Sequence, residues 1–129
     1  MPKQTLAILD QHFTIHSFNP DTIPASRIFE QEMYFISRTF DELSVVVSSD
    51  LDLPSLDSEA GWRCLEVMGP LAFSLTGIIA GIADVLSKAN ISIFTLSTFD
   101  TDYILVKDSM LDTATKALEQ ANYRITLLD

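Results

Sequence analysis

Apolar and polar positions alternate twice near the start of the chain. Residues 5–9 (Thr-Leu-Ala-Ile-Leu) read as a short buried strand. Residues 13–18 set Phe13, Ile15 and Ser17 against Thr14, His16 and Phe18, and read as a second extended piece. Asn19-Pro20 and Ile23-Pro24 break the pattern. They leave room for only a short helix over 24–31, with Pro24 in its first turn. Residues 33–39 and 43–49 read as strands around a turn at Phe40-Asp41-Glu42. Val45-Val46-Val47, β-branched and apolar on both faces, belongs inside a sheet. Residues 50–60 carry Asp50, Asp52, Asp57, Glu59 and Pro54, and read as a linker.

After Gly61 the pattern is cleaner. Residues 63–68 predict a strand, and Gly69-Pro70 a turn. Residues 71–89 predict a helix with Leu71, Leu75, Ile78, Ile79, Ile82, Leu86 and Ala89 at helical spacing. Asn90 is placed to stop it. Residues 91–99 and 103–106 form a hairpin. Ser109-Met110-Leu111-Asp112 reads as a capping box with Asp in place of Glu. The helix it opens carries Leu111, Ala114, Leu118 and Ala121 inward and stops near Asn122, before a last strand over 123–128. The order from Arg63 is βαββαβ, an α+β ferredoxin-like topology with helices on one face of an antiparallel sheet.

The chain also repeats itself. Phe35-Ile36-Ser37-Arg38-Thr39-Phe40-Asp41 returns 59 positions later as Phe94-Thr95-Leu96-Ser97-Thr98-Phe99-Asp100. The same shift lays Leu6, Ile8 and Val47 on Leu65, Val67 and Val106. Such self-similarity predicts two related units, 1–60 and 61–129. The first has matching strands, a weakened first helix and no second helix.

Composition narrows the function classes. The chain has 129 residues, 47% of them hydrophobic, which is enough for a packed core. Eighteen acidic residues against eight basic ones give a net charge of -10. The basic residues are dispersed, so phosphate backbones and anionic membranes are repelled, and no nucleic-acid or membrane partner is expected. Cys64 is the single cysteine, which fits a reducing cytosol. No long apolar region follows Met1-Pro2-Lys3-Gln4, so no signal peptide is expected. The longest apolar stretch, 71–83, is broken by Ser74, Thr76, Gly77 and Gly81 and is too short to span a bilayer. A cytoplasmic protein follows.

Little in the sequence points to catalysis. His12 and His16 lie four apart in extended backbone, with no Cys or Glu at metal spacing. Cys64 sits mid-strand, where an inert buried thiol is the default. The acidic run over 50–59 lacks the glycine and final glutamate of a calcium loop. No metal and no cofactor are expected. Two places could bind a ligand. Gly69 to Gly77 leads from strand to helix, where free backbone N–H groups suit a carboxylate. Alternatively, Gly77 and Gly81 only let the helix sit close on the sheet, and both readings stay open. At the hairpin, Asp100 and Asp102 could hold an ammonium or guanidinium group, although Asp and Thr are ordinary turn residues. The repeat separates them. Asp100 mirrors Asp41 and is architectural, whereas Asp102 stands opposite Leu43 and belongs to the second unit alone.

The run from Gly69 to Ala83, followed by Ile91 to Val106 with its Ser97-Thr98-Phe99-Asp100-Thr101-Asp102-Tyr103, resembles an ACT domain. More narrowly, it resembles small bacterial proteins with two tandem ACT-like units, which are similar to the halves of the eukaryotic cytosolic arginine sensor and to aspartate kinase regulatory regions. The resemblance makes 1–60 a degenerate ACT-like unit and 61–129 a complete one. It implies a non-catalytic sensor that binds a small molecule, an amino acid, where ACT units meet, and it implies a homodimer. Leu75, Thr76, Gly77 and Ile78 would present backbone groups to the α-carboxylate. Thr98, Phe99 and Asp102 would meet the amino or side-chain end. At Leu75 the arginine sensor has an acidic residue, which argues against arginine here. The alternative is a protein-interaction module without a small ligand, suggested by the degenerate first unit and the acidic surface.

Overall fold

In the computed structural model, which describes residues 4–68 and 77–128, the chain begins with one long strand, β1 (Thr5–Phe18). The two pieces expected at 5–9 and 13–18 are joined. Asp10-Gln11-His12 between them holds neither Gly nor Pro, so nothing breaks the extended backbone. What changes there is the partner. Thr5–Leu9 pairs in parallel with β7 (Arg124–Leu128), and Phe13–Phe18 pairs antiparallel with β3 (Leu43–Ser48). The remaining elements are β2 (Tyr34–Arg38), β4 (Asp57–Val67), α1 (Ile78–Lys88), β5 (Ile93–Ser97), β6 (Asp102–Lys107) and α2 (Leu111–Gln120).

Contacts group the chain into two units, residues 1–10 with 63–129, and residues 11–62. In the unit built on 11–62, β2 pairs β3, β3 pairs β1, and β1 neighbours β4. A short 3-10 helix, Ser26–Glu30, stands where the breakers left room for one. It brings Ile28 down onto Phe18, Leu43, Val45 and Val47, all buried. Leu56 N–H donates to Ser17 C=O, so β1 has a backbone partner just before β4 begins. Residues 57–60 were expected to be linker but form the exposed start of β4. Backbone pairing, not side-chain burial, makes them strand, so their charge hides the element from a hydrophobic pattern.

His16 is 5% exposed. Its Nδ1 lies 2.9 Å from Ser55 Oγ, and its Nε2 is buried without a partner among the described residues. A neutral ring with the proton on Nδ1 suits this best, because it leaves Nε2 a lone pair rather than an unmet N–H. Burial lowers the His16 pKa, against a weaker upward pull from the Asp52 carboxylate.

The other unit has strand order β7-β1-β4-β6-β5. From β4 onward it follows the expected βαββαβ order of an α+β, ferredoxin-like fold. Alternate residues Leu6 and Ile8, Leu65 and Val67, Ile104 and Val106 point to one face. Ile82 and Leu86 of α1 and Ala114 and Leu118 of α2 pack against them. Cys64 alternates to the other face, fully buried, its thiol pushed up to about 12 by burial and then by Glu66. That agrees with an inert thiol.

Both helices end on the asparagines that the pattern singled out. Asn90 and Asn122 have φ of 60° and 75°. Ile91 N–H donates to Leu86 C=O and Tyr123 N–H to Leu118 C=O, both at 3.0 Å, closing a Schellman motif with a buried residue behind each asparagine. The capping box expected at Ser109 is not formed. Lys107 is the last extended residue, and Asp108–Met110 forms a 3-10 turn. Ser109 therefore lies inside a turn, without the extended backbone an N-cap needs, and Met110 caps α2 with no side-chain bond.

Candidate functional site

The repeated Thr-Phe-Asp builds the same hairpin turn twice. In one copy Thr39 N–H donates to Glu42 C=O at 2.9 Å, and Thr39 Oγ1 accepts from Glu42 N–H at 3.2 Å. In the other, Thr98 N–H donates to Thr101 C=O at 2.9 Å, and Thr98 Oγ1 accepts from Thr101 N–H at 3.3 Å. The threonine hydroxyl thus takes over part of the turn's own hydrogen bonding. The registers follow the same shift of 59. Arg38 pairs Leu43 as Ser97 pairs Asp102, and Tyr34 pairs Val47 as Ile93 pairs Val106. Phe40 and Phe99 stand at the two tips, 101% and 79% exposed.

The copies then diverge. Leu43 is buried in its core, whereas Asp102 at the equivalent position is half-buried and accepts a hydrogen bond of 2.5 Å from Ser97 Oγ. That bond holds the carboxylate in place across the strand pair. Asp102 stands two residues before Ile104 and four before Val106, so it shares their helix-facing side of the sheet.

Thr101 fixes where this turn sits. It is 7% exposed, and its hydroxyl donates to Val67 C=O, at the end of β4. The hairpin turn therefore lies beside the end of β4, the strand that leads through residues 69–76 into α1. Sequence reasoning assigned Thr101 no role. Its one signal is the mismatch with Glu42 at the corresponding place in the repeat.

Gly77 precedes α1 with a left-handed φ of 78° and is exposed. Among the described residues a Cβ there would meet nothing within 4 Å, and the left-handed backbone angle by itself calls for glycine. Gly81 is the reverse case. A Cβ there would lie 2.9 Å from Tyr123 Oη, so space is short at Gly81, but the neighbour is the residue between α2 and β7 rather than the sheet. Ile78 is half-buried against the core. Of the residues assigned to ligand binding, Thr98, Phe99 and Asp102 gather at the β5–β6 turn, and Gly77 and Ile78 at the start of α1. Leu75 and Thr76 lie outside the described residues, as does the part of the expected helix over 71–76.

Among the described residues no three His, Cys, Asp or Glu side chains stand together as metal ligands. None of the described helices is long and apolar enough to cross a membrane.

The arrangement has clear likenesses. The ACT domain family model matches residues 57–120. Protein Atu0741 from Agrobacterium tumefaciens has a similar structure, with a TM-score of 0.91 and 31% identity, covering 100% of this chain and 96% of that one. The human cytosolic arginine sensor for mTORC1 subunit 1 is 38% identical over 73 residues, 56% of this chain. That match spans only 22% of the sensor's length. The regulatory subunit of aspartate kinase from Thermus thermophilus shares the fold, with a TM-score of 0.66 at 13% identity over 93% of this chain and 97% of that one.

Proposed function

This chain belongs with protein Atu0741 to one family and carries an ACT domain, and from that premise we propose that it is a non-catalytic regulatory protein that binds an amino acid. The observation that carries the reading is Asp102. A half-buried carboxylate, oriented by Ser97, stands on the helix-facing side of the sheet where the other copy has buried Leu43. The Thr101 hydroxyl ties its turn to the end of β4, beside the path into α1. Backbone N–H groups at a helix entrance suit an α-carboxylate, and a fixed carboxylate suits an α-ammonium. In this reading the segment 75–78 takes the acid end of the ligand. Thr98 and Asp102 take the amine end, and exposed Phe99 lies over an aliphatic or aromatic side chain.

The finer parts belong to the same proposal. They are repeat units 1–60 and 61–129, a ligand held where ACT units meet, a homodimer, and a cytoplasmic location. The similarity to an arginine sensor supports an amino-acid ligand, while Leu75 argues against arginine itself. The test is a melting series with each standard amino acid at millimolar concentration, since a ligand that binds the native state raises Tm. At least one amino acid should raise it, and Asp102→Ala should remove the effect while the variant still melts cooperatively. No shift with any amino acid, or an undiminished shift in Asp102→Ala, contradicts the proposal.

A further inference from the structure

The charge of the chain is unevenly placed. Residues 11–62 hold nine carboxylates and two arginines, net -7 of the total -10. Both arginines turn to backbone carbonyls. Arg27 donates to Asp52 C=O from Nε and Nη2 at 3.3 and 2.9 Å. Arg38 donates to the carbonyls of Pro20 and Thr22.

Those bonds frame a cleft of about 160 Å³ within this unit, whose apolar lining includes Phe18, Ile23, Pro24, Leu53, Pro54 and Leu56. Its walls are tied in place. Arg38 anchors the 20–22 loop to the end of β2, and Arg27 anchors the loop at Asp52 to the 3-10 helix. Ser55 is bonded to His16 and Leu56 N–H to Ser17 C=O. Ile23 and Leu56 line the cleft and are 87% and 72% exposed, so apolar surface faces solvent there. Exposed Asp21, Asp52 and Asp57 are each next in sequence to a lining residue, so with Arg27 and Arg38 the loops around the cleft hold three carboxylates against two guanidiniums, in a unit of net -7.

We propose that this cleft docks one aromatic or branched aliphatic side chain carried on a lysine- or arginine-rich segment of a partner protein. An apolar cavity of about 150 Å³ accommodates benzene, so this one is sized for a single ring or branched chain. The net charge of the unit, -7, selects what carries that group. Anionic membranes and nucleic acids are repelled, and a second copy of this chain offers no lysine- or arginine-rich segment, its eight basic residues being dispersed. A cationic segment gains both the apolar contact and the complementary field. The inference does not rest on the amino-acid reading, because none of the cleft residues belongs to the candidate ligand site.

The probe is a fluorescein-labelled peptide with a central Phe flanked by lysines, titrated with the full chain and followed by anisotropy. It should bind saturably and more weakly as salt is raised. A central Ala, or glutamates in place of the lysines, should abolish binding. The double variant Ile23→Ser/Leu56→Ser should weaken binding about tenfold or more. Its Tm should hold, because both side chains are exposed. Asp21→Lys with Asp57→Lys should weaken binding and flatten the salt dependence. Four results overturn the proposal: no saturable binding of the lysine-flanked peptide, equal binding of the central-Ala peptide, no effect of the double serine variant, or sedimentation showing a dimer that this variant splits. The last would assign the cleft to a second copy.

Discussion

Substituting Gly81 by alanine sets two opposing effects against each other, and the structure decides between them. Gly→Ala inside a helix favours the native state by about 0.8–1 kcal/mol. Against that, the new Cβ would stand 2.9 Å from Tyr123 Oη. Tyr123 is 5% exposed and packed into the core, so its ring has little room to withdraw. Forcing extra atoms into a packed core costs about 1–3 kcal/mol. Gly81→Ala alone should therefore be neutral or destabilising by up to about 2 kcal/mol, contrary to its helix propensity. In a Tyr123→Phe background the opposing oxygen is gone, and the same substitution should stabilise by about 0.8–1 kcal/mol. Urea unfolding of the four proteins gives the coupling directly, expected at about 1–3 kcal/mol. Any separate cost of Tyr123→Phe cancels in the cycle. A coupling below about 0.3 kcal/mol, or a stabilising Gly81→Ala in the Tyr123 background, would refute the close-packing argument.

Gly77→Ala should cost about 1–2 kcal/mol through its left-handed backbone alone, and Gly77→Asn less, as read by urea unfolding. Thr101→Val keeps the shape but leaves the Val67 carbonyl without its hydroxyl donor, which should cost about 1–3 kcal/mol. Thr39→Val at the exposed turn should cost less. His16 predicts a pH dependence with a definite sign. Its folded pKa lies below the unfolded 6.5, so the unfolded chain binds the proton first. The stability that goes with a neutral His16 is fully present above pH 6.5. It is lost as pH falls from there toward the folded pKa, and His16→Gln should remove that slope in denaturation measured from pH 7 to 5.

Much of the fold was legible because its signals are local. Thr39 and Thr98 form their turns with bonds spanning three residues, and Asn90 and Asn122 end helices with bonds to the turn just before them. What escaped were features set by distant partners. Residues 57–60 are exposed and include Asp57 and Glu59, and they are strand as part of β4, which pairs in the sheet with β1 and β6. The parallel pairing of β7 with Thr5–Leu9 joins the two ends of the described chain, which no periodicity records. The missing capping box has the same cause, since Ser109 has the right residue type but the 3-10 turn after Lys107 denies it the right backbone. At the candidate site the divergence between copies picked out Asp102, because Leu43 fills a core that Asp102 does not enter. Thr101 stayed hidden, because its partner Val67 is 34 residues away.

Amide NMR of the full chain during titration with each standard amino acid reads the site residue by residue. One of them, at millimolar concentration or below, should produce saturable shifts concentrated at Gly77, Ile78 and 98–102. Saturable shifts for none of them, or shifts gathered instead around Ile23 and Leu56, would contradict an amino-acid site at the entrance to α1.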